Sequence, residues 1–135
     1  MIAPDSSVTI AAAAPWHVAH ETALSALAAD GPSLIAHVAF ETTAALSRMP
    51  EGHRLAPAVV LEWLEGRFRR PWLALPGNAT RSALRTAVEQ DVRGGGLYDA
   101  LIAATARHHG HQLLSADRRA ASAYAALGVD VVYIA

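Results

Sequence analysis

Short apolar runs alternate along the chain with longer segments whose apolar positions recur every three to four residues. The runs at 1–5, 33–36, 72–75, 112–115 and 131–134 read as buried strands. Between them, helical spacing appears at 16–29 (Trp16, Ala19, Ala23, Leu24, Leu27), 37–49 (Phe40, Ala44, Ala45, Leu46) and 56–67 (Val59, Val60, Trp63, Leu64). A fourth amphipathic segment, 79–92, turns Leu84, Ala87 and Val88 inward behind Asn78 as a cap, and a final helix occupies 120–127. Pro15, Asp30-Gly31-Pro32, Pro50-Glu51-Gly52, Pro76-Gly77 and Gly128 punctuate these segments.

The stretch 94–119 stands out from this background. Gly94-Gly95-Gly96 leads into an alanine-rich helix with Leu101, Ile102 and Ala106 facing a core, and Gly110 stops it. A strand then ends at Ser115, just before Asp117. Asp99 in the first turn of that helix and Asp117 beyond the strand can meet at one edge of a parallel sheet, where open α/β folds place their ligands.

Strands separated by helices demand crossover connections, so the pattern predicts an α/β sandwich of three layers. Its centre is a mainly parallel sheet of about four to five strands, flanked by helices on both faces. The 135 residues fit one domain, 1–135, without internal repeats or linkers.

Composition removes several chemistries. There is no cysteine, which excludes disulfides, thiolate zinc sites and thiol nucleophiles. All eleven basic residues are arginine, so P-loop and Schiff-base chemistry, which need lysine, are excluded as well. The net charge of −1 argues against a general polyanion binder. No basic leader or long apolar span marks secretion or membrane insertion, and a cytoplasmic protein is expected.

The acidic residues carry the remaining signal. Asp5, Asp99 and Asp117 fall at strand-to-helix passages or helix starts, and Glu41 lies one turn into the helix after the second strand. Each aspartate taken alone is explained by complementing a helix N-terminus. Four convergent carboxylates would repel one another, and a hard divalent cation such as magnesium relieves that repulsion.

Asp5-Ser6-Ser7, Glu41, Tyr98-Asp99-Ala100 followed by Ile102-Ala103-Ala104-Thr105-Ala106, and Leu113-Leu114-Ser115-Ala116-Asp117 together resemble the PIN-domain nucleases. More narrowly, their order and spacing resemble the VapC-type toxins of toxin and antitoxin pairs. The resemblance covers nearly the whole chain and implies a PIN-like fold and hydrolysis of RNA phosphodiesters with Mg2+ or Mn2+. It makes Asp5, Glu41, Asp99 and Asp117 the catalytic, metal-holding quartet, with Ser7 and Ser115 supporting them. It further implies a cognate VapB-type antitoxin and a homodimer. Arg119 stands where some relatives carry a further acid.

Arg118 and Arg119 beside the quartet, and the group Arg67, Arg69 and Arg70, are candidate RNA contacts, with a solvated helix face or end as the plain alternative. His108, His109 and His111 suit a helix C-terminus better than a metal, and Trp63 and Trp72 read as core. Two other functions remain open at this point: a noncatalytic metal- or partner-binding module of the same fold, and a DNA-directed nuclease.

Overall fold

The computed structural model describes residues 1–29 and 31–135. Three parallel strands, β1 (Ile2–Pro4), β2 (Gln112–Ser115) and β3 (Val131–Tyr133), pair in the order β1-β2-β3. The register sets Ala3 opposite Leu113 and Leu114 opposite Val132. Seven α-helices surround them: α1 (Ser6–Ala13), α2 (His20–Ala28), α3 (Ala36–Ser47), α4 (Pro57–Arg67), α5 (Gly77–Glu89), α6 (Gly96–His108) and α7 (Ala121–Ala126). A single 3-10 turn, Arg118–Ala120, precedes α7.

The expected second and third strands shrink to single-bridge segments. Ser33 donates its N–H to the Ile2 carbonyl at 3.0 Å, and Ile35 bridges Leu73 in parallel. These rows continue the sheet beyond β1, yet Pro32 and Pro71 lack donors and α3 begins at Ala36, so neither row can lengthen. The formal sheet has three strands where about four to five were expected.

Leu113 and Leu114 point to opposite faces of β2 and are both buried, so helices cover both sides of the sheet. Helices α1, α2, α3 and α4 pack as one connected group, α5, α6 and α7 as another, and α1 and α6 each rest on β2. The core is built from Val8, Leu34, Ile35, Val38, Leu46, Ile102 and Leu113, with alanines allowing close helix approach.

Helical period was legible, but phase was not always. Phe40, Val59, Leu84 and Val88 are exposed, although each was expected to face the core. On α3 the inner face is Val38, Ala39, Thr42 and Leu46. A buried threonine occupies the expected polar side there, its hydroxyl paired with Thr9 at 2.6 Å and with the Val38 carbonyl at 2.7 Å. Helix α5 buries only Ala87 and packs chiefly on α6 and α7. Trp63 and Trp72 are half-buried against the core and not inside it. Helix α2 starts at His20, since a turn across Trp16 to Ala19 is closed by His17 Nδ1 accepting the Ala19 N–H at 3.0 Å. Asn78 lies inside the first turn of α5 instead of capping it, and Pro76 takes the cap position. Gly110 and Gly128 do end their helices, at φ +72° and +69°. Of the expected stop at 30–32, Asp30 lies outside the described residues.

Candidate active site

All four acidic residues lie where β1, β2, α3 and α6 come together at the carboxyl edge of the sheet. Asp5 continues β1, its N–H bonded to the Leu114 carbonyl at 2.9 Å, and then caps α1. Its Oδ1 accepts from Ser7 N (3.0 Å), Ser7 Oγ and Val8 N (3.4 Å). Its Oδ2 accepts from the Tyr124 hydroxyl of α7 at 2.6 Å. Asp5 is 3 % exposed, so these donors offset the cost of burying its charge. Helix capping and site formation are the same act here: the bonds that start α1 also fix the carboxylate.

Ser7 and Ser115 connect the acids. Ser7 Oγ donates to Asp5 and accepts from Ala116 N at 2.8 Å, tying α1 to the loop after β2. Ser115 Oγ accepts from Asp117 N at 3.0 Å and so sets the turn that carries Asp117. Asp117 caps the 3-10 turn, and its Oδ1 accepts from Arg119 N and Nε, both at 3.0 Å. The Arg119 side chain is 93 % exposed, so this ion pair is worth little to stability.

Asp99 lies in the first turn of α6 without serving as its cap. Burial, followed by the charges of Glu41, Asp5 and Asp117, pushes its carboxyl up to about 6. The other three carboxylates lie near enough for their charges to act on Asp99. Glu41 Oε2 lies 3.6 Å from His37 Nε2, one turn earlier on α3, while Glu41 Oε1 is buried with no hydrogen-bond partner. Burial foremost, and then the charge of Asp5, hold the Tyr124 phenol above its ordinary range.

An orphaned buried carboxylate oxygen beside three further carboxylates suits a hard divalent cation, which takes oxygen ligands from just such groups. Among the described residues, no three His, Asp or Glu side chains close into a finished cage. Asp5 and Asp117 are instead held by protein donors, Asp5 by Tyr124 and the start of α1 and Asp117 by Arg119.

Arg118 and Arg119 follow Asp117 directly, and the Arg118 guanidinium sits 4.5 Å above the Tyr133 ring. Arg67, Arg69 and Arg70 are not brought to the acids. Arg70 meets the Met1 sulfur at 3.3 Å, at the opposite end of β1 from Asp5, and Arg67 lies 5.9 Å over the Trp63 ring. Near the end of α6, His109 Nε2 meets the Ala74 carbonyl at 2.8 Å and His111 Nε2 meets Ser33 Oγ at 3.1 Å.

Sequence reasoning missed Tyr124 and His37 as site residues. The i, i+4 spacing of His37 and Glu41 was readable as a helical pair, whereas nothing local links Tyr124 to a residue 119 positions away.

Comparison with known proteins identifies the family. A family model described as PIN domain matches residues 2–126. Ribonuclease VapC40 of Mycobacterium tuberculosis is 44 % identical over 131 residues, covering 97 % of both chains. Ribonuclease VapC27 of the same organism is 35 % identical over 134 residues, covering 99 % of this chain and 97 % of its own. Among solved structures, FitAcB from Neisseria gonorrhoeae superposes with a TM-score of 0.72 at 20 % identity, covering 99 % of this chain and 98 % of that one. With the matched segment running from β1 through α7 and so including every acid of the cluster, the chain belongs to the PIN-domain family, in its VapC branch.

Proposed function

We propose that the protein is a metal-dependent endoribonuclease, the toxin of a toxin and antitoxin pair, which hydrolyses RNA phosphodiester bonds at the Asp5, Glu41, Asp99 and Asp117 cluster. The observation that carries this reading is the placement of Glu41, Asp5 and Asp117 near enough to Asp99 for their charges to add to burial in raising its carboxyl. Relatives of 44 % and 35 % identity named as ribonucleases support the choice of RNA.

A bound Mg2+ or Mn2+ would polarise a phosphoryl oxygen and lower the pKa of a coordinated water. Asp5, gripped by four donors, is the rigid ligand position, with Asp99 beside it. Asp117 and Glu41 complete the charge. Glu41 Oε1, having no partner, would be the oxygen available to the ion or to the water it holds. Ser7 and Ser115 hold the two aspartate loops in register. Arg118 and Arg119 would meet substrate phosphate in this reading, and Arg119, highly exposed, can leave Asp117 at small cost. Arg67, Arg69 and Arg70, at the opposite sheet edge, could touch only a more distant part of a long RNA.

A VapB-type antitoxin and a second copy of the chain are the protein partners in this reading. Exposed Phe40, Leu84 and Val88 give such partners apolar surface to cover. Among the described residues no helix is long and apolar enough to cross a membrane, and we assign the protein to the cytoplasm, where RNA is met.

The test is RNA cleavage by purified protein with Mg2+ or Mn2+, beside Asp99→Asn. Cleavage by the parent alone supports the reading. Equal cleavage by the variant, with its fold intact, would displace the site, and metal binding without turnover would favour a noncatalytic module.

A further inference from the structure

The cluster leaves one neighbouring feature unexplained. Tyr98 immediately precedes Asp99 on α6, and His37 lies one turn before Glu41 on α3. Their rings stack, with centroids 5.5 Å apart and planes 10° from parallel. Tyr98 is nevertheless 58 % exposed, so the imidazole backs the ring while much of the ring surface stays in water. A second stacked pair, Trp16 on His53, lies beyond the carboxyl end of α1, at the opposite end of that helix from Asp5. Among the described residues, the Tyr98–His37 pair is the stacked pair that borders the acids.

The pair is also held in place. His37 is turned toward Glu41 at 3.6 Å, and Tyr98 is carried on the rigid first turn that positions Asp99. Leaving a tyrosine face in water gains nothing for folding, whereas a flat π surface fixed beside a phosphodiester-cleaving centre matches the chemistry of an unpaired nucleobase. Such stacking tolerates any base and places the backbone, which is what a hydrolytic site needs in order to meet one phosphate and not its neighbours.

Resting on the ribonuclease reading, we infer that Tyr98, backed by His37, is the stacking platform for the unpaired base flanking the scissile phosphate. The stacked base adds affinity and holds the phosphodiester next to it toward the carboxylates.

The test uses the full chain and a short synthetic single-stranded RNA of mixed sequence, together with copies carrying one abasic position each. Cleavage is followed with Mg2+, and binding is read by fluorescence anisotropy in the Asp99→Asn background. Tyr98→Ala is expected to weaken binding and raise KM by about 5- to 150-fold, the range that loss of one stacked base produces, with the effect falling on KM more than on kcat. Tyr98→Phe, which keeps the π face, should restore most of that loss. An abasic site at one position should weaken the parent by a similar factor and leave Tyr98→Ala unaffected. Unchanged RNA affinity in a folded Tyr98→Ala overturns the inference, as does sensitivity of the variant to the abasic site equal to that of the parent. A change in sedimentation mass caused by Tyr98→Ala overturns it in favour of a subunit contact. RNA bound but uncleaved by the parent defeats the ribonuclease reading alone, and the stacking inference is then judged on the anisotropy; RNA neither bound nor cleaved defeats both.

Discussion

Removing the Tyr124 hydroxyl probes how the fold holds its first carboxylate. Tyr124 is 1 % exposed and donates to Asp5 Oδ2 at 2.6 Å. In Tyr124→Phe the ring keeps its packing, so no cavity of consequence opens, and the cost is that of leaving one oxygen of a buried carboxylate without its donor. A hydrogen bond to a charged acceptor is worth about 1.5–3 kcal/mol, and the three donors remaining on Oδ1 do not reach Oδ2. At this chain length each kcal/mol moves the melting temperature by about 3 °C, so thermal unfolding without divalent metal should shift down by roughly 5–9 °C. Calorimetry reads the shift directly, and titration of Mn2+ into both proteins reads the second consequence: an Asp5 freed to rotate should bind the ion more weakly. A variant that melts within about 1 °C of the parent and binds Mn2+ equally well would refute the claim that Tyr124 fixes Asp5.

Asp99→Asn should stabilise the metal-free protein at neutral pH. The Asp99 carboxyl is pushed up to about 6, so its favourable contribution is full below the ordinary carboxylate value and is lost as pH rises through about 6. Because the group is half-exposed, screening holds the gain to about 1 kcal/mol, measured as a difference in urea unfolding between parent and variant that grows from pH 4 to pH 7. Added Mg2+ should reverse the order, stabilising the parent by about 2.7 kcal/mol at a hundred times its dissociation constant and the variant less, with chelation abolishing both the gain and the cleavage. Ser7→Ala deprives Ala116 N of its acceptor and Asp5 of a donor, and should lower stability by about 1–3 kcal/mol while weakening divalent binding; unchanged metal affinity would show that the link to the Asp117 loop is dispensable. Leu113→Ala, at a residue with 0 % exposure between two helical layers, should cost about 2–5 kcal/mol in denaturant unfolding.

Local signals proved reliable where the cause of structure is itself local. Pro15 ends α1 after Ala13, Gly110 at φ +72° ends α6, and Asp5 and Asp117 cap the turns that follow them. Element order, parallel pairing and the carboxyl-edge position of the four acids follow from such signals together with the need for crossovers. Residue types confined the chemistry further, since a chain with neither lysine nor cysteine but with carboxylates at strand ends has hard-cation chemistry within reach.

What only the tertiary structure decided are matters of phase and of long-range pairing. Periodicity defines a helix face but not which neighbour buries it, so Phe40, Leu84 and Val88 emerged into solvent while Thr42 went inside to meet Thr9. The bridges at Ile35 and Leu73 stayed too short to count as strands, because flanking prolines and the start of α3 limit the ladder. Only the tertiary structure pairs Arg119 with Asp117, lays Arg118 over the Tyr133 ring and sets Arg70 against Met1 at the other end of β1. The bond from Tyr124 to Asp5, the contact of His37 with Glu41 and its stacking on Tyr98, and the unpartnered Glu41 Oε1 arise from how α3, α6 and α7 close over the sheet edge. Capping, turns and helical period are encoded within a few residues, but a side chain's partner across the core depends on the packing of every element between them.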